Sequence, residues 1–226
     1  MTSPLISRLD RRLIVSSQAM DPRSPLKRPD ILALLAEAAE LGGAGGFRVD
    51  GATVVTLLRP KTLLPIIGIA KDHRLGFDNY ITTTVADVAA LAACGADIIA
   101  IQATEGTRPA ESFAELAAAA HGAGKLVMAD IATVAEAEAA VRDGADIVAT
   151  TMVGHTKQTQ GYARPPLALV ARLVQDLDVP VIVEGGIWTP EHVAASFAAG
   201  ALAVVCGSAI TAPDLITQRL VAAIPR

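Results

Sequence analysis

Eight times in succession, a short run of apolar and β-branched residues gives way to an alanine-rich segment with helical spacing. The predicted strands cover residues 13–18, 44–50, 65–71, 97–103, 125–131, 146–152, 181–187 and 202–210. The predicted helices cover 30–41, 52–58, 85–94, 111–121, 134–143, 166–177, 190–199 and 213–223. Unbroken βα alternation of this length predicts an α/β fold, a closed (β/α)8 or TIM barrel. An open doubly wound sheet is the alternative, but it usually needs fewer units. No Pro/Gly/Ser-rich linker divides the 226 residues, so one barrel domain spanning 1–226 is expected, with a short helix at its N-terminus.

Several boundaries carry their own punctuation. Thr189 precedes Pro190, a cap residue before proline at the first helical position. Gly95, Gly144 and Gly200 each fall between a helix and the next strand, where a left-handed C′ residue is wanted. Gly95-Ala96-Asp97-Ile98 and Gly144-Ala145-Asp146-Ile147 repeat one αβ junction.

Composition suits this fold. Hydrophobic residues make up 52% of the chain and aromatics only 3%, so the core must be built of Ala, Val, Ile and Leu. Such a mix lets helices pack closely on buried parallel strands. A formal charge of −4 gives no basic footprint for nucleic acid. The mean hydropathy of +0.45 raises the question of a membrane span. The stretch 85–103 is broken by Asp87 and Asp97, however, and 193–205 is too short to cross, so no membrane partner is expected. The first residues show no secretory pattern, and Cys94 and Cys206 stand alone, which points to a reducing, cytoplasmic setting.

In a barrel of this kind the chemistry comes from residues at the carboxyl ends of the strands. Those ends offer Gln18, Arg48, Lys71, Gln102, Asp130, Thr150-Thr151 and Glu184. Glu184 is the hardest to explain away: a carboxylate between Val183 and Gly185-Gly186 sits in a buried run and needs a partner, for which Lys71 is the natural candidate. A purely structural Lys–Glu pair stays open, as does Asp130 acting as a helix cap for the segment starting near Thr133. Glycine turns follow strands seven and eight, Gly185-Gly186 and Gly207-Ser208, where barrels commonly bind phosphate through backbone N–H groups. Tight βα turns would account for the same glycines, but their place after the two strands where barrels bind phosphate favours phosphate binding. His155 and His73 follow strands and are candidates for the mouth, and no histidine has metal-ligand spacing, so no metal is expected.

Taken together, these residues resemble those of the N-acetylmannosamine-6-phosphate 2-epimerases. The resemblance runs from about Leu13 to Ile216. It is carried by LIVSSQA at 13–19, Gly46-Phe47-Arg48, Ile67-Gly68-Ile69-Ala70-Lys71, Tyr80-Ile81-Thr82, Gly95-Ala96-Asp97-Ile98, Met128-Ala129-Asp130-Ile131, Val183-Glu184-Gly185-Gly186-Ile187 and Gly207-Ser208-Ala209-Ile210-Thr211. It implies interconversion of N-acetylmannosamine 6-phosphate and N-acetylglucosamine 6-phosphate, a step of amino-sugar and sialic-acid breakdown, with no cofactor. It also implies roles: Lys71 transfers the proton, Glu184 supports it, and Gln18, Arg48 and Asp130 hold the sugar. Gly185, Gly186, Gly207 and Ser208 would hold the phosphate. Gln102, Thr151 and His155, from their places at the strand ends and the mouth, are the further substrate-binding candidates. The partners implied are a small amino-sugar phosphate and, as a homodimer, a second copy of the chain.

The chemistry constrains these residues further. Taking a proton from C2, next to the aldehyde of the open-chain sugar, requires a neutral lysine, so burial or the neighbouring Arg48 should lower its pKa. Arg48 and Gln18 are candidates to stabilise the charge that develops on oxygen. The chain departs from the family pattern at Gln102, where an aspartate is usual, at His155, where a tyrosine is, and at Ala212, where an arginine is. The last change removes a phosphate partner and leaves open a different sugar, phosphorylated or not. It also leaves open a related isomerase, aldolase or synthase using Lys71 as a Schiff base, and a non-catalytic sugar-phosphate binder.

Overall fold

The computed structural model describes residues 3–19, 21 and 23–225. Its strands are β1 (Arg12–Ser17), β2 (Gly46–Asp50), β3 (Ile66–Ile69), β4 (Ile98–Gln102), β5 (Leu126–Asp130), β6 (Ile147–Ala149), β7 (Val181–Glu184) and β8 (Ala203–Cys206). Each pairs in parallel with the next, and β8 returns to β1 through Arg12–Val15 and Ala203–Cys206, which closes the barrel. A short helix, α1 (Pro4–Ser7), precedes β1 as expected. The crossover helices are α2 (Pro29–Leu41), α3 (Ala52–Leu58), α4 (Val85–Ala93), α5 (Phe113–Gly122), α6 (Val134–Arg142), α7 (Leu167–Asp176) and α8 (Pro190–Ala198). After β8 come α9 (Ser208–Thr211) and α10 (Pro213–Val221). The eighth predicted strand therefore stops at Cys206, and residues 208–211 form a helix instead.

Strand alternation sorts the side chains into two cores. Ile14, Ile67, Ile98, Ala100, Met128, Ile147, Ile182 and Ala203 fill the barrel interior, closed at its amino-terminal end by Ile6 and Leu9 from the α1 region. Their neighbours Val15, Phe47, Ile99, Val127, Val148, Val183 and Val204 face outward against the helices. Alanines on the inner faces of the helices, such as Ala117 and Ala120 on α5 and Ala137 and Ala140 on α6, bring helix and sheet close together. The helix ends follow the expected chemistry. Thr84, Ser112 and Thr133 form capping boxes with Asp87, Glu115 and Glu136, so Thr133, not Asp130, caps α6. Thr189 caps α8 ahead of Pro190, and Gly95, Gly144 and Gly200 take φ of +96°, +105° and +96°.

The same alternation decides which polar residues meet. With Arg48 two residues beyond inward-facing Gly46, Asp130 two beyond Met128, Thr151 two beyond Ala149 and Glu184 two beyond Ile182, all four point inward at the carboxyl end. Register brings Ser16 beside Arg48, Gln102 beside Asp130 and Glu184 beside Val205.

Candidate active site

A cavity of about 390 Å3 opens at this carboxyl-terminal mouth. Its lining includes Gln18, Arg48, Lys71, Tyr80, Thr151, His155, Arg164, Glu184, Gly185, Gly186, Gly207 and Ser208. Two expected residues lie outside that lining. Asp130 is entirely buried beneath it, as a partner of the groups above. Gln102 is a correction to the sequence reading. Its amide accepts from the Tyr80 N–H at 2.9 Å and donates to Asp78 O at 3.2 Å and Thr104 Oγ1 at 2.7 Å. Residues 78–81 fold over the end of β4 and use Gln102 as their anchor, which covers its inward-facing position.

The floor of the cavity is a charge cluster built around Arg48. This guanidinium, with a side chain only 1% exposed, pairs with Asp130 at 2.6 Å and also with Glu184. Thr151 Oγ1 donates to Asp130 Oδ1 at 2.6 Å and accepts from Arg48 Nη1 at 3.3 Å. Thr150 Oγ1 donates to the Glu184 carbonyl at 3.0 Å and accepts from its N–H at 3.2 Å, pinning the end of β7 to β6. Arg48, reached across the barrel, pairs with Glu184, and Lys71, to which the sequence pointed, lies close enough to feel the charge of Glu184. Two buried polar atoms of this region, Arg48 Nε and Gln18 Oε1, make no hydrogen bond among the described residues. Gln18 Nε2 donates to Ser16 Oγ at 2.5 Å, so its unspent group is an acceptor.

Lys71 lies two residues past β3, where it bridges to Ile81, and its N–H is held by Asp50 Oδ1 at 3.0 Å. Burial lowers its pKa, and the neighbouring Arg48 lowers it further, against the pull of Asp50, Glu184 and Asp130. Asp130 moves the other way: burial, reinforced by Glu184, outweighs Arg48 and pushes its carboxyl up to about 6. His155 Nε2 accepts from Arg164 Nη1 at 3.0 Å, and burial followed by the charges of Arg164 and Lys71 lowers its pKa, so the ring is neutral. His73 stacks on Tyr80 with ring centroids 4.3 Å apart and does not line the cavity. Among the described residues, no group of three or more His, Cys, Asp and Glu is placed to hold a metal ion.

Residues 32–226 match the family model described as "Putative N-acetylmannosamine-6-phosphate epimerase". A protein of Caldanaerobacter subterraneus subsp. tengcongensis, named "Putative N-acetylmannosamine-6-phosphate 2-epimerase", is 37% identical over 98% of this chain and 94% of its own length. One of Thermosynechococcus vestitus, with the same name, is 44% identical over 94% of this chain and 92% of its own. The solved structure of the N-acetylmannosamine-6-phosphate 2-epimerase from Clostridium perfringens superposes with a TM-score of 0.94 at 35% identity, covering 99% of this chain and 98% of that one.

The chain belongs to the N-acetylmannosamine-6-phosphate epimerase family. In this family member the cavity also contains groups that strand-end reasoning missed. Tyr80 and Ile81 come from the segment anchored by Gln102, and Trp188 follows the β7 turn. Arg164 arrives from the β6–α7 connection, well along the chain from the end of β6. Only Tyr80 and Ile81 had a signal in the sequence, as part of a family marker. Arg164, in a polar stretch ahead of Pro165-Pro166, had none.

Proposed function

We propose that this epimerase family member interconverts N-acetylmannosamine 6-phosphate and N-acetylglucosamine 6-phosphate by removing and returning the proton at C2. The observation that carries the reading is a lysine of lowered pKa on the wall of a cavity whose floor is a fixed arginine–carboxylate cluster. In the open-chain sugar the C2 proton is acidified by the adjacent aldehyde. Neutral Lys71 takes it, and the electron pair moves onto the carbonyl oxygen. Arg48, whose Nε is unspent, is the donor suited to that developing charge, whereas the acceptor of Gln18 suits a hydroxyl or amide N–H of the sugar. Glu184 and Asp130 keep Arg48 fixed, and Thr151 fixes Asp130. A proton returned to the opposite face completes the inversion. No oxidation state changes, so the reaction as proposed needs no redox cofactor. A homodimer is part of the same proposal, and sedimentation of the purified protein tests it.

The test is proton exchange in deuterated water. With either sugar phosphate, the wild type should place deuterium at C2, faster as pH rises through the lowered Lys71 pKa. Lys71→Ala should lose about a hundredfold or more of that rate. A wild-type protein that labels C2 of neither epimer overturns the reading.

A further inference from the structure

We infer that Arg164 is the side-chain cation that grips the substrate's phosphate and makes the cavity select a phosphorylated sugar, an inference that rests on the epimerase reading. A phosphate monoester carries nearly two negative charges near neutral pH and wants a cation as well as backbone N–H groups. The glycine turns supply the N–H groups, and Ser208 lines the same wall, but beyond it Thr211 donates its hydroxyl to Ser16 O at 2.7 Å, and Ala212 and Leu215 are apolar. Of the three Lys and Arg side chains that the described residues place in the lining, Arg48 is buried and held by Asp130 and Glu184, and Lys71 is assigned to C2. Arg164 remains.

Its placement fits the role. The stem of Arg164 lies directly over the β7 turn: a methyl group built on Gly186 would come 2.4 Å from Arg164 Cβ and 2.7 Å from its carbonyl carbon. A methyl group on Gly154 would come 3.2 Å from its Cδ and 3.3 Å from its Nε. The glycines therefore make room for the arginine as well as for a ligand. Among the described residues its guanidinium pairs with no carboxylate; its partner is the neutral His155, at 3.0 Å. That difference from Arg48 decides what the two can do. Two carboxylates offset the charge of Arg48 and leave it the single N–H of Nε for one oxygen, whereas a neutral imidazole acceptor orients Arg164 and leaves its full charge for an incoming dianion. The departures at His155 and Ala212 then become one arrangement: the cation enters from the β6–α7 side, and His155 aims it.

Steady-state kinetics with N-acetylmannosamine 6-phosphate and calorimetric titration with inorganic phosphate test this on the full chain. Arg164→Ala should raise KM about tenfold or more and weaken phosphate binding in parallel, with kcat much less changed. Arg164→Lys should recover part of both losses, because it keeps the charge but not the fork. Thermal melts establish that the variants fold. Unchanged KM and unchanged phosphate affinity in Arg164→Ala overturn the inference while the epimerase reading stands. If the wild type labels C2 of neither epimer, that reading falls, and the phosphate titration still decides the role of Arg164. A wild type that binds no phosphate overturns it too.

Discussion

Asp130 shows how a buried site trades stability for function. Because its carboxyl is pushed up to about 6, the folded protein holds a proton that the unfolded chain gives up from about pH 4. Ionising Asp130 in the fold therefore costs free energy, and its contribution to stability falls as pH rises from about 4 to about 6, then stays level. Thermal melts of the wild type and Asp130→Asn across that range should show the wild type losing ground to the variant as pH rises. A difference that does not vary with pH would sink the assignment. The presence of Arg48, Asp130 and Glu184 at one mouth was legible from strand parity. Which of them pair was not, because Arg48 meets Glu184 only through closure of the barrel. Gln102 had the right parity as well, yet the 78–81 segment covers it, and no local pattern announces a loop folding back over a strand end.

At the scale of elements, the turns after β7 and β8 are where sequence and structure part. Gly185 and Gly186 were legible as a turn and take φ of +108° and +80°. Their neighbour Arg164 was not, since nothing within the β6–α7 connection says which turn it will cross. Gly186→Ala should show what that contact is worth. A side chain there is strained at its φ and would force the backbone of Arg164 to move. We expect a loss of about 1–3 kcal/mol of stability and a higher KM for the sugar phosphate, read from denaturation and initial rates. An unchanged KM would mean the arginine's position does not matter. The short α9 was missed for a different reason. Ala209 and Ile210 continue an apolar run that reads as strand, but the pairing of β8 with β1 ends at Cys206, and the chain turns into a helix after Gly207.

For the whole molecule, the two ends of the barrel carry separate duties. Ile6 and Leu9 plug the amino-terminal end and belong to the interior core, whereas the cavity occupies the carboxyl end. Leu9 is fully buried, so Leu9→Ala should cost about 2–5 kcal/mol by leaving a cavity beneath the inner layers. KM should stay where it was, because the plug lies at the opposite end of the barrel from the cavity; a large change in KM would show that the ends are coupled. The order of strands and helices, the inward set of polar side chains and the glycine turns were all determined by the sequence. They follow from period-two alternation, caps and breakers, which are local properties of the chain. The pairing of Arg48 with its two carboxylates, the cover over Gln102 and the arrival of Arg164 beside His155 were decided by tertiary structure alone. Each joins residues far apart in the chain, and only the closed barrel and the loops folded over its mouth bring them within reach of one another.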